Sequence, residues 1–224
     1  MAERPYTNRG EYLTYQRLKG LSVVNSEDRI TIFANVFFHP ITNGPVRQID
    51  HLITSRRGVF MLETKYWAGT VYHQVCNEQL KIECERFWPL VEAALPPEIR
   101  RLKQTVPYTL IAHGNRPLTV RHGYSNPTEQ VRTAKKQLHD LLSQHLKIPP
   151  YLHGFVIYVY PHGESNAIVD LNHHLDELGQ FATEPEGFTS IDAFVKYYNR
   201  LPDRVMPTQR LTAINQCIRE HIIS

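Results

Sequence analysis

The chain has 224 residues, 42% hydrophobic and 21% charged, with 25 Lys and Arg against 22 Asp and Glu. That length and balance suit a globular domain with a real core and exclude wholesale disorder, and no apolar run approaches the roughly 20 residues of a membrane-spanning helix. Three cysteines outside CxxC spacing exclude a disulfide scaffold and a structural zinc site; with no apolar stretch near the N-terminus, the expected compartment is a reducing cytoplasm.

In chain order, Asn8 to Leu21 is predicted helical, with Asn8 as cap and Glu11, Tyr15 and Leu18 on one face. Ile30 to His39 is β-rich and ends at Pro40 and a turn, Thr42-Asn43-Gly44-Pro45. Val46–Thr54 and Gly58–Tyr66 are predicted strands joined by a tight turn at Ser55-Arg56-Arg57-Gly58, and Gly69–Val75 with Gln79–Glu85 is expected to add a second hairpin. A short helix around Trp88–Leu95 breaks at Pro96-Pro97, and a Pro- and Gly-punctuated stretch follows to Tyr124. Asn126-Pro127-Thr128-Glu129 is a helix start, with Asn as cap, Pro in the first position and Glu in the third. Phe155–Tyr160 is continuously apolar, hence a strand inside a sheet, and helices over Ser190–Leu201 and Thr208–Ile222 close the chain. The order predicts an α/β or α+β domain with a mixed sheet.

Charge is segregated. Residues 1–99 balance, residues 100–147 carry nine basic side chains against two acidic ones, and residues 148–224 carry five against nine. A central basic block is what a polyanion-binding surface needs, and equally what a solvated helix face looks like. Within it Arg132, Lys135, Lys136 and His139 recur at helical spacing as one basic stripe, a candidate nucleic-acid contact.

The chemistry concentrates at Gln48-Ile49-Asp50-His51 and Glu63-Thr64-Lys65. If residues 55–58 make the turn, Thr54 pairs with Val59, Asp50 lies opposite Glu63 and Gln48 opposite Lys65. Opposed Cβ atoms sit about 5 Å apart. Two carboxylates there repel by roughly 3 kcal/mol at an effective dielectric near 20. A shared divalent cation removes that conflict, and Lys65 on the same face is placed to act on water or on charge at phosphorus. The plain alternative is an exposed hairpin in which Lys65 neutralises a carboxylate. His51, on the other face by alternation, reads as a packing residue. His173-His174 with Asp176 lacks metal-site spacing, and no phosphate loop or nucleophile elbow is present, so any ATP-driven step falls to a partner.

Gly10-Glu11, Gln48-Ile49-Asp50-His51, Gly58-Val59-Phe60 and Glu63-Thr64-Lys65-Tyr66-Trp67-Ala68-Gly69 together resemble the nuclease-related domain (NERD) of the PD-(D/E)XK superfamily; Asn126-Pro127-Thr128-Glu129-Gln130 is similar to its Asn-Pro-x-x-Gln segment. The resemblance implies a restriction-endonuclease-like αβββαβ core with a mixed sheet flanked by helices. That core spans residues 8–85 and 126–170 of a single domain, with an insertion over about 86–125 and C-terminal helices over about 189–224. It implies Asp50, Glu63 and Thr64 as metal ligands, Lys65 as the catalytic lysine, Glu11 as a supporting acid and Gln130 as a neighbour of the site. It also implies Mg²⁺, with Mn²⁺ substituting, and a nucleic-acid substrate, DNA rather than RNA, with a homodimer or a helicase-type protein as partner. Three functions stay open on the sequence: a metal-dependent nuclease, a nucleic-acid-binding module with weak or partner-dependent cleavage, and a non-catalytic interaction protein. The position four after Gln130, where some related nucleases carry Tyr, is Ala134.

Overall fold

The computed structural model describes residues 8–41, 45–114, 116–161, 163–169, 180–181, 187–202 and 206–222. Residues 42–44 of the turn predicted at Thr42-Asn43-Gly44-Pro45 and the His173-His174-Asp176 group lie outside them. The order of elements is α1 (Arg9–Val24), β1 (Thr31–Phe38), β2 (Arg47–Ser55), β3 (Gly58–Tyr66), β4 (Gly69–Val75), α2 (Asn77–Glu83), α3 (Trp88–Ala94) and α4 (Pro97–Arg100). Then follow β5 (Tyr108–Ala112), β6 (Thr119–Arg121), α5 (Pro127–His145), β7 (Leu152–Val159), β8 (Asn166–Val169), β9 (Gln180–Phe181), β10 (Gly187–Phe188), α6 (Ile191–Arg200) and α7 (Thr208–His221).

A mixed six-stranded sheet, β1-β2-β3-β7-β10-β9, forms the centre. β1, β2 and β3 are antiparallel neighbours, and β7 runs parallel to β3, reached through α5, so the αβββαβ core is present. Alternation on the strands sends one set of side chains to each side. Ile53, Phe60, Leu62, Phe155 and Ile157 pack with Leu18 and Leu21 of α1 and Phe194 and Tyr198 of α6. Leu52, Val59, Met61, Val156 and Tyr158 pack under Val131, Leu138 and Leu142 of α5 and Ile214 and Ile218 of α7. Burying a side chain of this size stabilises the fold by about 1.5–3 kcal/mol. The C-terminal helices are also tied in by polar contacts. Arg57 in the β2–β3 turn pairs with the buried Asp28 at 2.7 Å and donates to Leu201 O at 2.8 Å, and Thr54 donates to Asn215 at 2.5 Å.

The structure corrects two expectations. Gln79–Glu85 is not the second arm of a hairpin: Asn77–Glu83 is helix α2, whose Gln79 side chain reaches back to accept from Cys76 N at 3.0 Å. Leu80 and Ile82 look like strand alternation in sequence, yet Leu80 is buried and Ile82 lies 70% exposed, because only one helix face meets the core. The sheet is also not single. A second mixed sheet, β6-β5-β4-β8, grows from the end of β3 and takes in residues from the 86–125 stretch. Its own small core contains Val75, Leu80, Leu95, Ile99, Tyr108 and Leu110. The junction requires glycine at position 69: φ is 93°, and a Cβ there would stand 2.4 Å from Ala112 O. Among the described residues no helix is long and apolar enough to cross a membrane.

Candidate active site

The β2–β3 register fixes where the carboxylates fall. From Ser55/Gly58 to His51/Leu62 one register holds, which puts Asp50 and Glu63 at the next step. There the ladder stops, and the Thr64 N–H donates to Asp50 Oδ2 at 2.7 Å instead. On the other side of Asp50, the β1–β2 ladder passes from Ala34/His51 to Val36/Ile49 without the residue between. That residue, Asn35, has φ 51°, in the left-handed region that Asn tolerates better than most, and its Oδ1 accepts from Gln48 Nε2 at 3.2 Å. The sheet is thus opened on both flanks of Asp50, beside a cavity of about 510 Å³.

Two helix N-termini close on this cavity. At the start of α1, Glu11 N donates to the Asn8 side chain at 2.9 Å, and Asn8 Nδ2 donates back to Glu11 Oε1, so the cap residue also aims the carboxylate. α1 comes this near to β3 because residue 10 is glycine: a Cβ there would stand 2.7 Å from Tyr66 Cβ. At the start of α5, Asn126 accepts from Thr128 N at 3.3 Å and from Thr109 Oγ1 at 3.1 Å, and donates to Gln74 at 3.2 Å. This buried network ties the α5 N-terminus to β4 and β5 of the second sheet. It places Gln130, one turn into α5, where its Oε1 accepts from Lys65 Nζ at 2.7 Å.

Lys65 is held between two partners, since its Nζ also donates to Glu63 Oε1 at 2.5 Å. Both side chains keep a solvent-facing edge, 15% exposed for Lys65 and 17% for Glu63. Asp50 is more enclosed. Burial, then the charges of Glu63 and Glu11, push its carboxyl well above the ordinary range, against the opposing pull of the Thr64 N–H and Lys65. His51 faces away from the cavity and is fully buried, its ring 6.5 Å from that of Tyr15 on α1; burial lowers it to about 4.

The cavity therefore collects Glu11, Asp50, Glu63, Thr64, Lys65 and Gln130. It does not collect the basic stripe. Arg132 is exposed and pairs with Glu129, Lys135 lies 5.0 Å from the Tyr151 ring centroid, and Lys136 is exposed on α5 outside the cavity lining. Gln48 and Trp67 do line it, as does Arg121 from β6, none of which the sequence marked as a site residue. Gln48 and Trp67 stood within the motif strings. Arg121 had only its place in the basic block, because a three-residue strand leaves no periodic signal.

Among the described residues no group of three or more His, Cys, Asp or Glu side chains forms a ready-made metal cage. Two neighbouring carboxylates with open positions for water and substrate instead suit Mg²⁺, which is commonly bound through one or two carboxylates plus substrate phosphates. The crowding that raises Asp50 is what a divalent cation would relieve.

A mixed sheet flanked by helices, with carboxylates and a lysine gathered at the ends of β2 and β3, defines a restriction-endonuclease-like α/β protein. The family model of the nuclease-related domain, NERD, matches residues 7–96, so that segment is similar to this domain. The match includes Glu11, Asp50, Glu63 and Lys65 and stops short of Arg121 and Gln130. No curated protein and no solved structure matches the chain.

Proposed function

We propose that the chain is a divalent-metal-dependent nuclease that hydrolyses phosphodiester bonds, in DNA rather than RNA. The observation that carries this reading is the placement of Lys65 Nζ between Glu63 and Gln130, in the same cavity as buried Asp50. An E-x-K pair on a plain surface hairpin would need only the first of those contacts.

Asp50, Glu63 and Thr64 are the residues that would hold the metal. When bound, Mg²⁺ or Mn²⁺ supplies Lewis-acid stabilisation of charge on the phosphoryl oxygens. The chain's own groups do the rest. Lys65 donates a hydrogen bond to charge that develops on the phosphoryl group as water adds, and Gln130 fixes the ammonium so that no reorganisation is needed at that moment. Glu11, aimed by Asn8, adds negative charge beside Asp50 and strengthens the cavity's affinity for a cation. The N-termini of α1 and α5 bring their positive dipole ends to the same space, which suits a phosphate. Hydrolysis breaks one P–O bond; water's oxygen goes to phosphorus, and the leaving sugar oxygen takes up a proton.

The test is purified protein with Mg²⁺ or Mn²⁺ on labelled single- and double-stranded DNA and RNA. The expected result is metal-dependent cleavage of DNA that disappears in Asp50→Ala, Glu63→Ala and Lys65→Ala. Cleavage that persists in Glu63→Ala and Lys65→Ala rejects the reading.

A further inference from the structure

Arg121 reaches the cavity from a different layer of the molecule than the metal-binding hairpin. β6 pairs antiparallel with β5, and Arg121 stands opposite Thr109. Thr109 is fully buried and donates to Asn126, the cap of the helix that carries Gln130. The turn that follows β6 is closed by Ser125, whose hydroxyl donates to His122 O at 2.7 Å and accepts from His122 N at 3.1 Å. The main chain that presents Arg121 is therefore held by the same network that seats Gln130 against Lys65.

Among the described residues, nothing neutralises the charge of this arginine. Lys65, the other cation of the cavity, is engaged by Glu63 and Gln130, whereas Arg121 makes no ion pair among the described residues and is exposed along the cavity wall. Among the described residues, Glu11, Asp50 and Glu63 give the cavity three carboxylates against two cations. With a divalent cation bound, the formal balance becomes one positive charge, opposite to the single negative charge of a phosphodiester.

We propose that Arg121 is a substrate-binding residue that grips a phosphate of the nucleic-acid strand laid across the cavity. This rests on the reading of the cavity as a phosphodiester site. A guanidinium presents a planar fork to phosphate oxygens, and a fork on a rigid strand end holds the strand in register with Lys65. The residue positions a phosphate; it takes no part in bond breaking.

The experiment measures binding apart from cleavage. In a Glu63→Gln background with chelator present, the affinity of a fluorescent single-stranded oligodeoxynucleotide is followed by anisotropy against salt. Adding Arg121→Gln is expected to weaken binding about tenfold and to reduce the slope of log K against log salt by about 1, as loss of one phosphate contact does. Arg121→Lys restores the slope and only part of the affinity, while Arg86→Gln, an exposed arginine outside the cavity, changes neither. In an otherwise unsubstituted protein with Mg²⁺, Arg121→Gln raises KM more than it lowers kcat. An Arg121→Gln protein that binds like its parent overturns the assignment, whatever the cleavage assay shows. If the Arg121 effect on binding persists while the unsubstituted protein cleaves nothing, the phosphate contact stands and the catalytic reading falls.

Discussion

Lys65 Nζ lies 2.7 Å from Gln130 Oε1, joining the third strand of the sheet to the first turn of α5 across 65 residues of sequence. This contact gives the E-x-K motif a partner that a surface hairpin lacks, and it makes the orientation of the ammonium depend on a helix cap.

Gln130→Ala leaves Lys65 with Glu63 alone. On the nuclease reading, kcat is expected to fall about tenfold, the range of one lost orienting hydrogen bond, with little change in thermal stability because Gln130 is half-buried. Lys65→Ala is expected to remove activity altogether. Single-turnover cleavage beside a melting curve checks both, and equal rates for Gln130→Ala and the unsubstituted protein would mean the amide is incidental.

On the nuclease reading, Asp50→Asn is expected to trade function for stability. Its carboxylate is buried beside Glu63 and Glu11, while an asparagine oxygen still accepts from Thr64 N. Relief of like-charge crowding is expected to raise the metal-free midpoint by a few degrees, about 1 kcal/mol for a chain of this size. Mg²⁺, which should raise the midpoint of the unsubstituted protein by preferential binding to the folded state, should no longer do so. Thermal scans with and without Mg²⁺ read both effects; a Mg²⁺-induced rise that survives in Asp50→Asn counts against this carboxylate as a ligand.

Two glycines in α1 should respond in opposite senses to alanine. At Gly10 the new methyl meets Tyr66 Cβ at 2.7 Å, so α1 must back away from β3, at a cost of about 1–3 kcal/mol and with Glu11 displaced from the cavity. At Gly20 nothing lies within 4 Å, and helix propensity should stabilise the protein by about 0.5–1 kcal/mol. Denaturant unfolding of the two variants decides the matter.

Acid should destabilise the protein through its buried imidazoles. Burial lowers His51 to about 4 and His73 to about 3, while the unfolded chain protonates both near 6.5. Between those values the unfolded state binds more protons, so stability is fully present above about 6.5 and is lost as pH falls toward the folded values, by several kcal/mol in all. Asp50 works in the opposite sense, its raised value favouring the folded state as it protonates, and blunts the loss. His73→Gln keeps a hydrogen-bonding side chain beside the Tyr158 hydroxyl, which lies 2.8 Å from His73 Nδ1, and should flatten the decline seen by denaturant unfolding from about pH 7 to about pH 5. Unchanged pH dependence in that variant would remove His73 from the account.

Much of the fold was legible because its signals are local. Asn8 and Asn126 cap the helices that they were expected to cap, β3 runs over the expected Gly58–Tyr66, and the two-residue turn sets the register that brings Asp50 level with Glu63. The second sheet was not legible. β6 and β8 span three and four residues, too short for alternation to declare itself, and Leu80 and Ile82 fit a strand as well as a helix until packing chooses one face.

The amino-acid order by itself determined the acidic pair and its lysine, since a tight turn and a period of two leave those side chains no other face. Only the tertiary structure decided that Gln130 meets Lys65, that Asn35 leaves the ladder beside Asp50, and that Arg121 stands on the cavity wall. These depend on contacts between segments tens of residues apart, made when helices and sheets bury their apolar faces against one another, and no local pattern encodes them.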